Sequence, residues 1–172
     1  QVDFYMDKFV RMYNITDALY EEYLPRPFFS ALTDGCIERA QDCREWRYFA
    51  KTPVNPVGQV TLGNSMAAMK KLVFEDKIVS MAELLEALRN NWEGKEELRQ
   101  MFLNRAPKFG NDDDEVDLLV RDVLVRTTDV FEKYINLYGQ RFIEDGSGGA
   151  AYFAFSVLTG ATPDGRKDKD VL

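Results

Sequence analysis

The residues of this chain that could do chemistry are few. They are Cys36 and Cys43, the acidic run Asp112-Asp113-Asp114, Ser147 between glycines, and an aromatic stretch holding Tyr152, Phe153 and Phe155. No histidine occurs anywhere in the 172 residues. That removes the commonest general base, the commonest zinc ligand and every Ser-His or Cys-His arrangement.

Each remaining candidate has a plain structural alternative. The acidic run suggests a hard-cation loop, yet counting from Asp112 the sixth and twelfth positions hold Asp117 and Val123, where a calcium loop of the EF-hand type needs Gly and Glu. Acids at the start of a helix, stabilised by the positive end of its dipole, account for the run better. Arg39 follows Cys36 at helical spacing and would favour its thiolate, but a small buried thiol is the simpler expectation for both cysteines. Their separation of seven positions suits neither a four-ligand zinc site nor a disulfide scaffold and fits a reducing, cytoplasmic setting. Ser147 lacks the Lys and following helix of a phosphate-cradling loop.

The elements that must position these residues follow from periodicity and punctuation. Apolar residues at helical spacing predict a helix over Val2–Leu24, closed by Pro25 and Pro27, and a second over Phe28–Gln41. Pro53 and Pro56 exclude helix around them. Val57–Leu62 reads as a short strand ended by Gly63, with Asn64 or Ser65 capping a helix to about Phe74. Ser80-Met81-Ala82-Glu83 is a capping box opening a helix to about Asn91, and a third runs from Lys95 to Asn104. The acidic run opens a long helix to about Tyr138, stopped by Gly139. Ala150–Leu158 reads as a buried strand, and Thr162-Pro163-Asp164-Gly165 as a turn. The fold class expected is α/β, predominantly helical, with about two short strands.

The composition is that of a globular domain, 45% hydrophobic with 13% aromatics, more ring area than a chain of this size shows to water. The net charge of −7, with no basic cluster, excludes a nucleic-acid groove. Apolar runs are too short to span a bilayer, and the N-terminus shows no secretion signal, so a soluble chain is expected.

Five stretches, in one order, resemble glycyl radical enzymes of the pyruvate formate-lyase-like superfamily. They are Pro27-Phe28-Phe29-Ser30-Ala31-Leu32-Thr33-Asp34-Gly35-Cys36-Ile37-Glu38-Arg39, Asn64-Ser65-Met66-Ala67-Ala68-Met69-Lys70-Lys71-Leu72-Val73-Phe74, Ala106-Pro107-Lys108-Phe109-Gly110-Asn111-Asp112-Asp113-Asp114, Val116-Asp117, and Thr159-Gly160-Ala161-Thr162-Pro163-Asp164-Gly165-Arg166-Lys167. The resemblance implies that residues 1–172 are an internal part of a longer enzyme, a piece of a ten-stranded α/β barrel lying between the cysteine loop and the glycyl radical loop. It implies no catalytic residue and no metal ligand in this chain, since the Gly-Cys loop followed by a small or acidic residue and the Arg-Val-x-Gly-type motif are both missing from it. Cys36 aligns with a recurring family cysteine outside the catalytic loop, so no radical role passes to it. No cofactor is implied for this chain; the parent's glycyl radical is installed by an S-adenosylmethionine iron-sulfur activase. The implied partners are the rest of the parent enzyme, the activating enzyme and a small-molecule substrate, with a homodimeric parent and neither nucleic acid nor membrane.

In the family, the strand aligned with Ala150–Leu158 runs through the barrel. Alternation then offers Ala151, Phe153 and Phe155 or Tyr152, Ala154 and Ser156 to the substrate, and the resemblance favours the first set, with simple core filling by these rings as the alternative. Dehydratase relatives carry Gly-Pro-x-Gly-Val-Gly-x-Ala before an Asp-Ser pair, where this chain has Asn55-Pro56-Val57-Gly58-Gln59-Val60-Thr61-Leu62-Gly63-Asn64-Ser65. With Phe153 and Phe155, that departure points to a larger or aromatic substrate, decarboxylated or added to fumarate. The alternatives are a dehydratase-type lyase of a small diol, or a non-catalytic scaffold or binding module derived from the same fold. Alone, the fragment is expected to be inactive and, through exposed rings and unpaired strand edges, to self-associate.

Overall fold

A computed structural model describes residues 2–43, 51–145 and 149–172. The chain forms two compact units, one of residues 1–54 and 126–145 and the other of residues 55–125 and 146–172. Its helices are α1 (Val2–Tyr23), α2 (Pro27–Ala31), α3 (Cys36–Arg39), α4 (Gln59–Met69), α5 (Met81–Arg89), α6 (Glu96–Asn104), α7 (Asp114–Phe131) and α8 (Ala151–Ser156). A π-helical segment, Lys70–Glu75, continues α4. Among the described residues the strands are β1 (Lys51–Val54) and β2 (Arg141–Glu144), paired parallel with Lys51 opposite Arg141 and Val54 opposite Glu144. The fold is thus mostly helical with two short strands, as expected, but both strands lie elsewhere than the apolar runs that predicted them.

In the first unit, Met6 and Val10 on one face of α1 pack with Val130, Phe131 and Phe142. Phe142, from β2, meets Tyr13 edge to face at 5.4 Å between ring centroids. Aromatic pairs of this kind add about 0.5–1.5 kcal/mol to the area they bury. The expected helix over Phe28–Gln41 is broken into α2 and α3, because Gly35 turns the chain at φ +85° and Thr33 Oγ1 donates to the Phe29 carbonyl. The long helix ends at Phe131, short of Tyr138. Asn136 takes over the backbone there: its N–H donates to the Gln140 carbonyl at 2.7 Å, and its side-chain oxygen accepts from the N–H groups of Tyr138 and Gln140. That redirected chain leads into β2.

The second unit is built on Ala68, Leu72, Leu84, Ala87, Trp92 and Phe102. Val57–Leu62 is not a strand: α4 starts at Gln59, after Gly58 at φ +87°. Gly63 explains the choice. A Cβ on it would sit 2.3 Å from Val120 Cγ2, so glycine lets α4 approach α7 closely, and that packing outweighs the β preference of Val60 and Thr61. The capping box forms as the sequence predicts, with Ser80 Oγ accepting from the Glu83 N–H at 3.3 Å and Glu83 accepting from the Ser80 N–H at 2.9 Å. The third expected helix forms as α6. Asn91 and Trp92 come after α5 at φ +51° and +62°. A bulky residue in that region costs about 1–3 kcal/mol of strain, held here because the Trp92 indole is sealed in the core against Phe102.

Ala150–Leu158 is likewise not a strand. Residues Ala151–Ser156 form helix α8, with the N–H groups of Phe153 and Ala154 donating to the Ala150 carbonyl. A strand needs a neighbour to satisfy its backbone; β1 and β2 pair with each other, and this run satisfies its own groups locally. No helix among the described residues is long and apolar enough to cross a membrane.

Candidate functional site

Side chains that the sequence singles out fall into three places. Cys36 is buried at the start of α3 beside a small cavity also lined by Pro27, Ser30 and Ile37. Burial pushes its thiol up, and the nearby Cys43, Asp42 and Glu38 push it the same way, so Cys36 stays a protonated, inert thiol. The Cys43 N–H donates to Ser30 Oγ, whose single O–H lies within bonding distance of both Asp42 Oδ2 and the Arg26 carbonyl. This knot joins α2 to the chain leaving α3.

The acidic run lies at the start of α7, where Asp113 Oδ1 accepts from the Glu115 N–H at 3.0 Å and Asp117 Oδ1 accepts from the Gly110 N–H. These are helix-entry contacts, as the dipole argument expects. Among the described residues no three acidic, thiol or imidazole groups converge as metal ligands. Ser147 and the loop around it lie outside the described residues.

Ala151, Phe153 and Phe155 are on α8, and helical geometry replaces the alternation that grouped them. At about 100° per residue, Ala151 and Phe155 share a face while Phe153 points to the opposite side. Phe153 and Phe155 are 63% and 50% exposed. The backbone at the end of α8 is tied down: Ser156 Oγ donates to the Phe153 carbonyl and Thr159 Oγ1 to the Phe155 carbonyl.

The loop after α8 is densely hydrogen-bonded, although its residue types predict only a turn. The turn is present, with the Gly165 N–H donating to the Thr162 carbonyl at 3.1 Å and Gly165 at φ +96°. Three consecutive carbonyls of the turn each receive a side chain. Lys108 Nζ donates to Asp164 O at 2.9 Å, Arg99 Nε to Gly165 O at 2.8 Å and the Trp92 indole to Arg166 O at 3.3 Å. Burial pulls the Lys108 ammonium below the usual lysine range, and the Asp164 charge offsets part of that. The sequence signal for this arrangement is the residue types themselves, two cations and a tryptophan, but nothing in their spacing shows that they meet on one turn.

Chemically the chain offers a ring-bearing helix, a fixed loop, and no activated nucleophile or base among the described residues. Residues 1–152 match the family described as pyruvate formate lyase-like. The chain is 37% identical to a probable dehydratase, YbiW, of Escherichia coli, over 97% of this chain and 22% of that protein. It is 34% identical to the isethionate sulfite-lyase of Nitratidesulfovibrio vulgaris, over 90% of this chain and 19% of that protein. An indoleacetate decarboxylase of Tractidigestivibacter scatoligenes is 30% identical over 94% of this chain and 21% of that protein. Among solved structures, the glycerol-bound B12-independent glycerol dehydratase of Clostridium butyricum superposes with a TM-score of 0.84 at 33% identity, covering 100% of this chain and 22% of that one. The chain therefore belongs to the pyruvate formate lyase-like family of glycyl radical enzymes, and it spans about a fifth of the length of the relatives it matches.

Proposed function

We propose that this chain is part of a glycyl radical lyase that eliminates a leaving group, water foremost, from a small hydroxylated substrate. The likeness to dehydratases along nearly the whole chain carries this reading. It displaces the larger aromatic substrate that Phe153, Phe155 and the Asn55–Ser65 departure suggested. In the proposed reaction a cysteine thiyl radical takes a hydrogen atom from a substrate C–H, the neighbouring C–O bond breaks with loss of water, and the thiol returns a hydrogen atom to the product radical. Thiyl cysteine and radical glycine come from sequence beyond these 172 residues, and the radical from an S-adenosylmethionine iron-sulfur activase. This chain supplies barrel wall, with the Ala151 and Phe155 face of α8 and the Phe153 ring as candidate substrate-facing groups.

The test is anaerobic activation of the longer polypeptide that contains this chain, followed by glycerol, 1,2-propanediol, isethionate and an arylacetate as substrates. The expected result is a glycyl radical doublet by electron paramagnetic resonance and dehydration of a diol. Absence of the doublet after activation would sink the reading. Decarboxylation of the arylacetate alone would transfer it to the second reading, which the indoleacetate decarboxylase relative and the exposed rings of α8 favour.

A further inference from the structure

Arg166 is 7% exposed, and its guanidinium bonds to neutral oxygens. Nε donates to Thr162 Oγ1 at 3.2 Å, one terminal nitrogen to the Asp170 carbonyl at 2.6 Å, and the other to the carbonyls of Thr159 at 2.8 Å and Gly160. Removing a guanidinium from water is unfavourable unless its donors are satisfied. Here four oxygens receive them, and they belong to both arms of one loop.

The placement of those oxygens matters. Thr159 and Gly160 are the residues that leave α8, and Thr159 also caps the Phe155 carbonyl. The opposite side of Arg166, its own carbonyl, is held by the buried indole of Trp92. A covalent and hydrogen-bonded chain therefore runs from the core, through Arg166, to the C-terminal end of α8. Ala161, next in sequence, packs against the same core. The start of α8 is held more simply, by backbone bonds to the carbonyls of Gly149 and Ala150.

We propose that Arg166 is a positioning residue that fixes the orientation of α8 and thereby the substrate-facing wall; the second half of this rests on the lyase reading. Its planar fork is suited to the task because it reaches acceptors in three directions at once, which a lysine ammonium on a flexible stem cannot do. Thr162 assists by accepting from Nε while donating to Asp164 Oδ1 at 2.6 Å.

Two variants test it, Arg166→Lys and the milder Thr162→Val, which removes one acceptor together with the hydroxyl's bond to Asp164 and leaves the charge in place. Hydrogen exchange of the chain should show amides of residues 150–160 exchanging at least tenfold faster in both, with those of α5 and α6 unchanged. Faster exchange throughout α5 and α6 in the Thr162→Val chain would overturn the proposal, since Arg166 would then be a general stabiliser. In the activated longer enzyme, the variants should raise KM about tenfold and leave kcat within twofold, with the same radical yield. An unchanged KM beside locally faster exchange would overturn the substrate-wall half and leave the lyase reading standing. If the unsubstituted enzyme turns over none of the substrates, the lyase reading and the substrate-wall half fall together, while local exchange still decides whether Arg166 holds α8.

Discussion

The two units of this chain differ in how large a core they close. In the unit of residues 55–125 and 146–172, Trp92, Phe102, Leu72 and Leu84 are sealed while Phe74, Phe153 and Leu158 face outward, and the polar loop around Arg166 closes over its own carbonyls. In the unit of residues 1–54 and 126–145, a long helix and two short ones turn Phe4, Tyr5, Ile15, Tyr23, Phe29 and Leu32 outward, and Phe28 is 81% exposed. An apolar surface of that kind favours self-association. One unit holds the larger sealed core; the other holds a smaller one, of Met6, Val10, Val130, Phe131 and Phe142, in which Arg141 of β2 pairs with Lys51 of β1 and bridges to Ile135.

The sharpest break in that contrast is Trp92→Ala. Emptying a sealed indole site should cost about 3–5 kcal/mol, read by chemical denaturation, and the carbonyl of Arg166 would lose its donor as well. Loss below about 1 kcal/mol would mean the second unit does not rest on a sealed core around Trp92. Next is Gly63→Ala, whose Cβ meets Val120 Cγ2 at 2.3 Å. Overpacking there should cost about 1–3 kcal/mol, and Val120→Ala in the same chain should restore part of it. Failure of that rescue would place the cost elsewhere.

A smaller effect concerns Lys108, whose proton affinity is lowered in the fold by burial. The folded chain gives up that proton at lower pH than the unfolded chain does. The unfolded state therefore binds more protons between the folded value and the ordinary 10.5, and stability rises with pH in that window. That gain is lost again as pH falls through the folded value. The pH dependence of unfolding should show this rise, and Lys108→Met should flatten it.

The smallest change in stability is expected in the first unit. Leu19→Lys with Phe28→Lys, both at exposed positions, should alter stability by less than about 0.5 kcal/mol yet weaken self-association in light scattering and the binding of hydrophobic dyes. A clean monomer before substitution would contradict the contrast itself.

Elements punctuated by local chemistry were legible in the sequence. The Ser80–Glu83 box, the acids before α7, the Thr162–Gly165 turn and the prolines around β1 each act through neighbours a few residues away, so residue type and spacing suffice. The two strand expectations failed for the opposite reason. Val57–Leu62 and Ala150–Leu158 are short apolar runs whose periodicity fits strand or helix, and the decision came from distant partners: Val120 against Gly63 for the first, the lack of a pairing strand among the described residues for the second.

The sequence by itself determined the absence of histidine chemistry, the family resemblance carried by five ordered stretches, and the helical class. Only the tertiary structure decided that Trp92, Arg99 and Lys108 converge on one turn and that Arg166 binds back across its own loop. Those contacts join residues up to 74 positions apart. Their energies depend on burial and on the angle at which each donor meets its carbonyl, quantities that exist only once the helices have packed.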